Sequence, residues 1–253
     1  MAEPVEVIRA DALNGVPHGF LGRRGGVSRG VVAGLNAGLG AEDDDNAVAE
    51  NRRLAVDAIM PGAELVTPFQ VHSPDTVIVR EAWTLADRPR ADALVTDRPG
   101  LLLGIVTADC APILLADKQA GVVGAAHAGW RGAHDGVIAS TVSAMEQLGA
   151  VPARICAAIG PCIAQPSYEV DETFRDNFGP EASRFFAPGK PGHFQFHLEG
   201  YAASRLAESG VGTIEPLGLD TYADDIRFFS FRRSTHRNEG TYGRQISLIC
   251  VSG

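Results

Sequence analysis

Between residues 91 and 128 four apolar runs follow one another almost without pause: "ADALVTD", "LLLGIVTA", "APILLAD" and "AGVVGAAH". Each is of strand length, rich in Val, Leu, Ile and Thr, and bounded by Asp, Pro or Gly. Two more, "ELVTPFQVHS" and "TVIVRE", precede them. None approaches the roughly 20 apolar residues that a helix needs to cross a bilayer. Such a block has to fold as buried sheet. The segment that follows, "AHDGVIASTVSAMEQLG", predicts a helix from about Asp135 to Leu148. Val137, Ile138, Thr141, Val142, Met145 and Leu148 form its apolar stripe, and Gly149 ends it.

The flanks read in the same way. "DDDNAVAENRRLAVDAIM" predicts a helix capped by Asp44 or Asp45 and stopped by Pro61-Gly62, with Val48, Leu54, Ala55 and Ile59 on its apolar side. "HGFLGRRGGVSRGVVAGLNAGLG" is glycine-rich and reads as strands and loops. Downstream, "ICAAIGP" predicts a strand, and "DETFRDNFG" and "HLEGYAASRLAESG" predict helices. "IRFFSFRR" and "RQISLICV" predict two closing strands. This irregular interleaving indicates an α+β fold, mixed β-sheets layered with helices.

With 253 residues, 45% of them hydrophobic, the chain can bury one large core or two packed halves. Its net charge of −9 argues against a nucleic-acid partner, because phosphate-backbone binding rests on clustered Lys and Arg. The basic clusters that do occur, "GRR" and "RRSTHR", are short and suit a small anion. No charged-then-apolar leader opens the chain, and no membrane partner is expected. Four cysteines (Cys110, Cys156, Cys162 and Cys250) do not make a disulfide framework at this length, so a reducing cytoplasm is the expected location.

Three strand ends carry a soft metal ligand: His72 in "QVHS", Cys110 in "TADCAP" and His127 in "AAHAGW". Ligands on the ends of neighbouring strands can converge while the core beneath holds them still. Two imidazoles and a thiolate suit Zn²⁺ with a fourth position open, as in catalytic rather than structural sites. No CxxC or HExxH announces a metal, so two hydrogen-bonded histidines and a buried thiol stand as the alternative. Cys110 is also a candidate nucleophile. Beside it, Asp109 needs solvent, a cation or a donor; it orients a ligand, carries a proton, or caps a turn. In "HAGWRG", Arg131 offers a planar fork to an oxyanion next to a helix start, and Trp130 packs at the core edge or walls a site. Arg232 and Arg233 form a second basic point after an apolar run.

The motifs "QVHS", "ADALVT", "TADCAPILLAD", "HAGWRG", "IGPCI", "YEV", "FFSFRR" and "YGR" occur in that order. On them the whole chain resembles the YfiH/laccase-domain family, whose members have been called multicopper polyphenol oxidases and, later, zinc-dependent purine nucleoside phosphorylases. The resemblance implies a single domain over residues 1–253 and a catalytic metal site of His72, Cys110 and His127, with Asp109 beside it. Zn²⁺ is the implied ion and Cu²⁺ the alternative. The implied partners are a nucleoside and phosphate. Arg131, with Arg52 or Arg233, would hold the phosphate, and Asn36 and Gln70 would meet the nucleoside. The chain departs from the family pattern at Asp220-Thr221, where a cysteine is frequent, at Gln195, where an aspartate is common, and in a longer segment before "YGR".

Three activities are open at this stage. The first is phosphorolysis of adenosine, inosine or methylthioadenosine, with adenosine deamination as a side activity, since zinc centres also attack purine carbons. The second is copper-dependent oxidation of phenols, which asks many imidazoles of a chain that has seven histidines. The third is hydrolysis of wrongly built peptidoglycan precursors by the same metal and carboxylate. A metal-dependent scaffold without turnover is the non-catalytic alternative.

Overall fold

The structure is a computed structural model that describes residues 3–252. The chain opens with strands β1 (Val7–Ile8) and β2 (His18–Leu21), then helix α1 (Asp45–Ile59). Six strands follow: β3 (Glu64–Val66), β4 (Thr76–Ile78), β5 (Ala93–Thr96), β6 (Leu101–Thr107), β7 (Ala111–Asp117) and β8 (Val122–Ala128). Helices α2 (Trp130–Asp135) and α3 (Val137–Glu146) lead to β9 (Cys156–Ile159) and β10 (Glu169–Asp171). The remainder is α4 (Glu172–Arg175), β11 (Phe186–Pro188), β12 (His193–Phe196), α5 (Leu198–Glu208), β13 (Thr213–Pro216), α6 (Phe231–His236) and β14 (Gln245–Cys250).

Two large mixed sheets carry the fold. One runs β1-β2-β14-β6-β3 and the other β13-β9-β7-β8-β5-β4; a small antiparallel sheet runs β10-β12-β11. Successive side chains on a strand face opposite ways. Leu103 and Ile105 of β6 therefore join Leu114 and Ala116 of β7, Phe20 and Ile249 in one core. Their neighbour Leu102 joins Ile246 and Leu248 in a second core with Ala55 and Ile59 of α1. Ile113 and Leu115 join Val137, Ile138, Val142 and Met145 of α3 in a third. Strands covered on both faces have no polar side, which is why their sequences run apolar without alternating. The expected fold class, mixed sheets layered with helices, is the one the chain adopts.

Asp44 caps α1 as its sequence indicates, accepting from the amides of Asn46 and Ala47. Three expectations need correction. The helix placed over 135–148 starts earlier, at Trp130, and is broken at Gly136, whose φ of 106° no continuous helix accommodates. "DETFRDNFG" yields only the single turn α4. "IRFFSFRR" is not a strand. Ser230 accepts from the amide of Arg233 and starts α6 there, and the Arg233 guanidinium takes up the carbonyls of Thr221, Tyr222 and Phe228. An N-cap hydroxyl and a buried fork overrode the β-propensity of the phenylalanines.

Candidate metal centre and active site

Strand pairing builds the site. In the β7–β8 ladder Ala111 lies opposite Ala128 and Pro112 opposite His127, which sets Cys110 beside His127 at one end of the larger sheet. His72 arrives on the loop between β3 and β4. Its position is fixed by Asp92, whose fully buried carboxylate accepts from the amides of Val71 (3.1 Å), His72 (2.9 Å) and Ser73 (2.7 Å). The same carboxylate lies 2.8 Å from Nδ1 of His127. One aspartate thus orients two of the three candidate ligands.

The donor atoms of His72, Cys110 and His127 all lie within 4.8 Å of one another. Cys110 Sγ stands 3.7 Å from His72 Nε2. A tetrahedral zinc with ordinary Zn–N and Zn–S bonds would separate such a pair by about 3.6 Å. With Nδ1 of His127 engaged by Asp92, its Nε2 is left for an ion, the usual arrangement around a ligating histidine. The donors, soft in character and three in number, fit a metal with an open position.

Electrostatics support a charged site. Burial pushes Asp92 upward, yet its bonds from His127 and the loop amides outweigh that and hold it at about 2. Burial likewise opposes charge on Cys110 and His127. Their mutual attraction wins: the thiol falls to about 6 and the imidazole rises to about 9. A thiolate is the form that binds a metal.

Two non-glycine residues at the site have left-handed backbone, His72 (φ 61°) and Asp109 (φ 84°). Such conformations cost on the order of 1–3 kcal/mol each and persist only where surroundings impose them. For His72 the imposing group is Asp92. For Asp109 it is the buried carboxylate's own ties, to the hydroxyl of Thr221 (2.7 Å) and the amide of Arg232 (2.6 Å). Burial raises Asp109 above the usual carboxylate range. Thr221 is therefore in contact with the site carboxylate.

The glycines of "HAGWRG" have a specific task. A Cβ at Gly129 would come within 2.9 Å of His72 Cδ2 and 3.0 Å of Cys110 Sγ. Only a residue without a side chain lets the backbone pass this close to two ligands.

Two cavities adjoin at the triad, sharing His72 and Cys110. One, of about 540 Å³, is lined by His72, Asp109 and Cys110 with Trp130, Tyr168, Phe174 and Arg232. The other, of about 450 Å³, is lined by all three triad residues with Arg52, Gln70, Arg88, Thr107, Tyr242 and Arg244. The exposed ring of Phe231 borders both.

Of the residues singled out in the sequence, His72, Asp109, Cys110, His127, Arg52, Gln70, Trp130 and Arg232 line these cavities. Gln70 spends its amide on the backbone of Val106, donating and accepting at 2.8 Å each way. Arg131, Arg233 and Asn36 do not line either cavity. Arg131 is exposed, its guanidinium 5.2 Å from the Trp130 ring centroid. Arg233 is buried and saturated by carbonyls. Asn36 is fully buried; its Oδ1 accepts from the amide of Arg244 at 2.9 Å, so it holds backbone and not ligand. Sequence reasoning missed Asp92, although the argument applied to Asp109 covers it too: a carboxylate at the head of a buried strand must find donors. It also passed over Arg88, and over Arg244 inside the quoted "YGR".

Fold and triad together define an α+β protein of the laccase-domain kind with a candidate metal site. The family described as multi-copper polyphenol oxidoreductase laccase matches residues 17–252, and the chain belongs to it. A Deinococcus radiodurans protein named purine nucleoside phosphorylase is 40% identical over 252 residues, 98% of this chain and 94% of that protein. A Corynebacterium glutamicum protein of the same name is 36% identical over 91% of this chain and 92% of its own length. Among solved structures, Bacillus licheniformis hypothetical protein YfiH superposes with a TM-score of 0.88 at 31% identity, covering 99% of this chain and 97% of that one. YlmD from Geobacillus stearothermophilus gives 0.88 at 30%, covering 99% and 100%. No helix among the described residues is long and apolar enough to cross a membrane.

Proposed function

We propose that the chain is a purine nucleoside phosphorylase that uses zinc at His72, Cys110 and His127 to cleave adenosine, inosine or methylthioadenosine with phosphate. The observation that carries the reading is the meeting of three soft donors where two cavities adjoin. Relatives named purine nucleoside phosphorylase support it. Phosphorolysis breaks the bond between C1′ and the purine nitrogen and forms one from C1′ to a phosphate oxygen. Positive charge develops on the ribose and negative charge on the leaving base, so the site must orient both reactants and neutralise the base.

Zinc, when bound, supplies a Lewis acid at the open corner of the triad. The chain's own groups do the rest. Asp92 fixes the ring and tautomer of His127. Trp130, Tyr168 and Phe174 give the larger cavity flat apolar walls against a purine. Asp109, opening into that cavity with burial favouring its protonated form, is placed to give a proton to the departing base. Adenosine deamination fits the same metal and carboxylate as a side activity.

The test is release of free base from adenosine in the presence of phosphate. Cys110→Ala and His127→Ala are expected to abolish it while circular dichroism stays unchanged. Normal turnover in either folded variant would refute the proposal. A multicopper reading draws less support, because the described residues gather one group of this kind and a trinuclear cluster needs further imidazoles.

A further inference from the structure

The smaller cavity beside the triad is unusual in its charge. Three arginines, Arg52, Arg88 and Arg244, line it, and no Asp or Glu does. Among the described residues none of the three pairs with a carboxylate within 4.0 Å; the ion pairs of this chain involve other arginines. Their partners are neutral. Arg52 donates from Nε to the carbonyl of Ala37 at 3.0 Å, and Arg88 from Nε to that of Leu85 at 2.7 Å. Arg244 donates from Nη2 to the Tyr242 hydroxyl at 3.0 Å.

Two polar atoms in this lining are buried with no partner at all, Nη1 of Arg244 and Oγ1 of Thr107. A buried donor left unsatisfied costs about 1–3 kcal/mol, more when charged, and is rare in native folds unless a ligand completes it. Two of the arginines are also held in place by their surroundings. Asn36 Oδ1 accepts from the backbone of Arg244, and a Cβ at Gly38 would stand 2.9 Å from the Cβ, Cγ and Cδ of that arginine. Backbone thus packs along the Arg244 stem and aims its head. Arg52 sits on α1 nearly buried, where desolvation and the charge of Arg88 bring it down to about 10.

We infer that Arg52, Arg88, Arg244 and Thr107 form an oxyanion subsite that binds inorganic phosphate against the His72–Cys110–His127 triad. This deepens the phosphorolysis reading and rests on it for the identity of the anion. Guanidinium forks match the edges of a tetrahedral oxyanion, and a phosphate here would satisfy Arg244 Nη1 and accept from the Thr107 hydroxyl. The subsite replaces Arg131 and Arg233, which do not line the cavity. It also assigns the two reactants to the two adjoining cavities: phosphate among the arginines, nucleoside among the aromatic side chains.

The experiment is calorimetric titration of the zinc-loaded full chain with inorganic phosphate, without nucleoside. Arg88 is half-buried on a loop, so Arg88→Ala is expected to fold normally; Arg244→Ala is the second variant, with circular dichroism on both. Each is expected to weaken phosphate binding about tenfold or more, as the loss of a charged hydrogen-bonding partner would. Wild-type affinity in both folded variants, no phosphate binding to the wild type, or loss of binding in Arg131→Ala alone would overturn the subsite. If the variants lose phosphate while the wild type releases no base from any purine nucleoside, the subsite stands and the phosphorylase reading falls. If base release proceeds with an unchanged phosphate KM in both variants, the phosphorylase reading stands and the subsite falls.

Discussion

Gly129 has ordinary backbone for any residue, with φ −66° and ψ 162°, yet a methyl group there would press on two of the candidate ligands, His72 and Cys110. Steric pressure on the site and strain in the fold are therefore separable at this position. Gly129→Ala is expected to keep the metal-free protein's thermal unfolding nearly unchanged and to weaken zinc about tenfold or more, since ligand geometry tolerates little displacement. Competition against a chromophoric chelator measures this, and wild-type affinity would show that His72 and Cys110 do not share an ion. Asp92→Asn attacks the same centre from behind. It exchanges a full negative charge, shared by three amides and His127, for an amide whose nitrogen accepts nothing. Zinc affinity should fall roughly 10–100-fold, the range for a lost partner of a ligating histidine, and stability should fall with it. The three candidate ligands that the fold brings together were legible from their residue types and their places at strand ends. The groups that orient them were not, because Asp92 looks like any turn aspartate until the sheet brings His127 to it. Arg131 misled for the complementary reason: its sequence neighbours are site residues, but one helical position turns it outward.

Elements were more legible than their junctions. The long apolar runs of β6, β7 and β8 and the stripe on α3 need no tertiary information, because burial on both faces leaves no ambiguity of period. Short segments do. The phenylalanines of "IRFFSFRR" carry β-propensity, but Asp109, more than a hundred residues away in sequence, takes the amide of Arg232 and draws the turn into α6. The break between α2 and α3 is a similar case with a testable consequence. Gly136 has φ 106° and ψ 21°, and no atom lies within 4 Å of where its Cβ would be. Space is free, so Gly136→Ala is charged only with the left-handed backbone, about 1 kcal/mol. For a chain of this size that is a fall in Tm of about 2–4 °C, without loss of zinc. An unchanged Tm would mean that α2 and α3 can rejoin as one helix.

At the scale of the whole molecule, strand β2 buries a titratable group that is not part of the candidate metal site. His18 of β2 is 1% exposed. Its Nδ1 lies 2.8 Å from the carbonyl of Val16 and its Nε2 accepts the amide of Ala10 at 3.0 Å, an arrangement open only to the neutral ring. Burial, with help from Arg9, holds its pKa below the ordinary 6.5. The sign follows by linkage. In the unfolded chain His18 takes up a proton near pH 6.5, while in the folded chain it resists until lower pH, so the unfolded state binds more protons in that window and stability falls as the solution is acidified. The stabilisation is present above pH 6.5 and is lost as pH falls toward the folded value, with a slope of at most about 1.4 kcal/mol per pH unit for one proton. Cys110 and His127 titrate too, so the measurement is a difference. Urea unfolding of the wild type and of His18→Gln from pH 7.5 to 5 should show a steeper loss of stability in the wild type. Parallel profiles would mean that His18 is free to protonate in place, and that the turn from Ala10 to His18 closes without requiring a neutral ring.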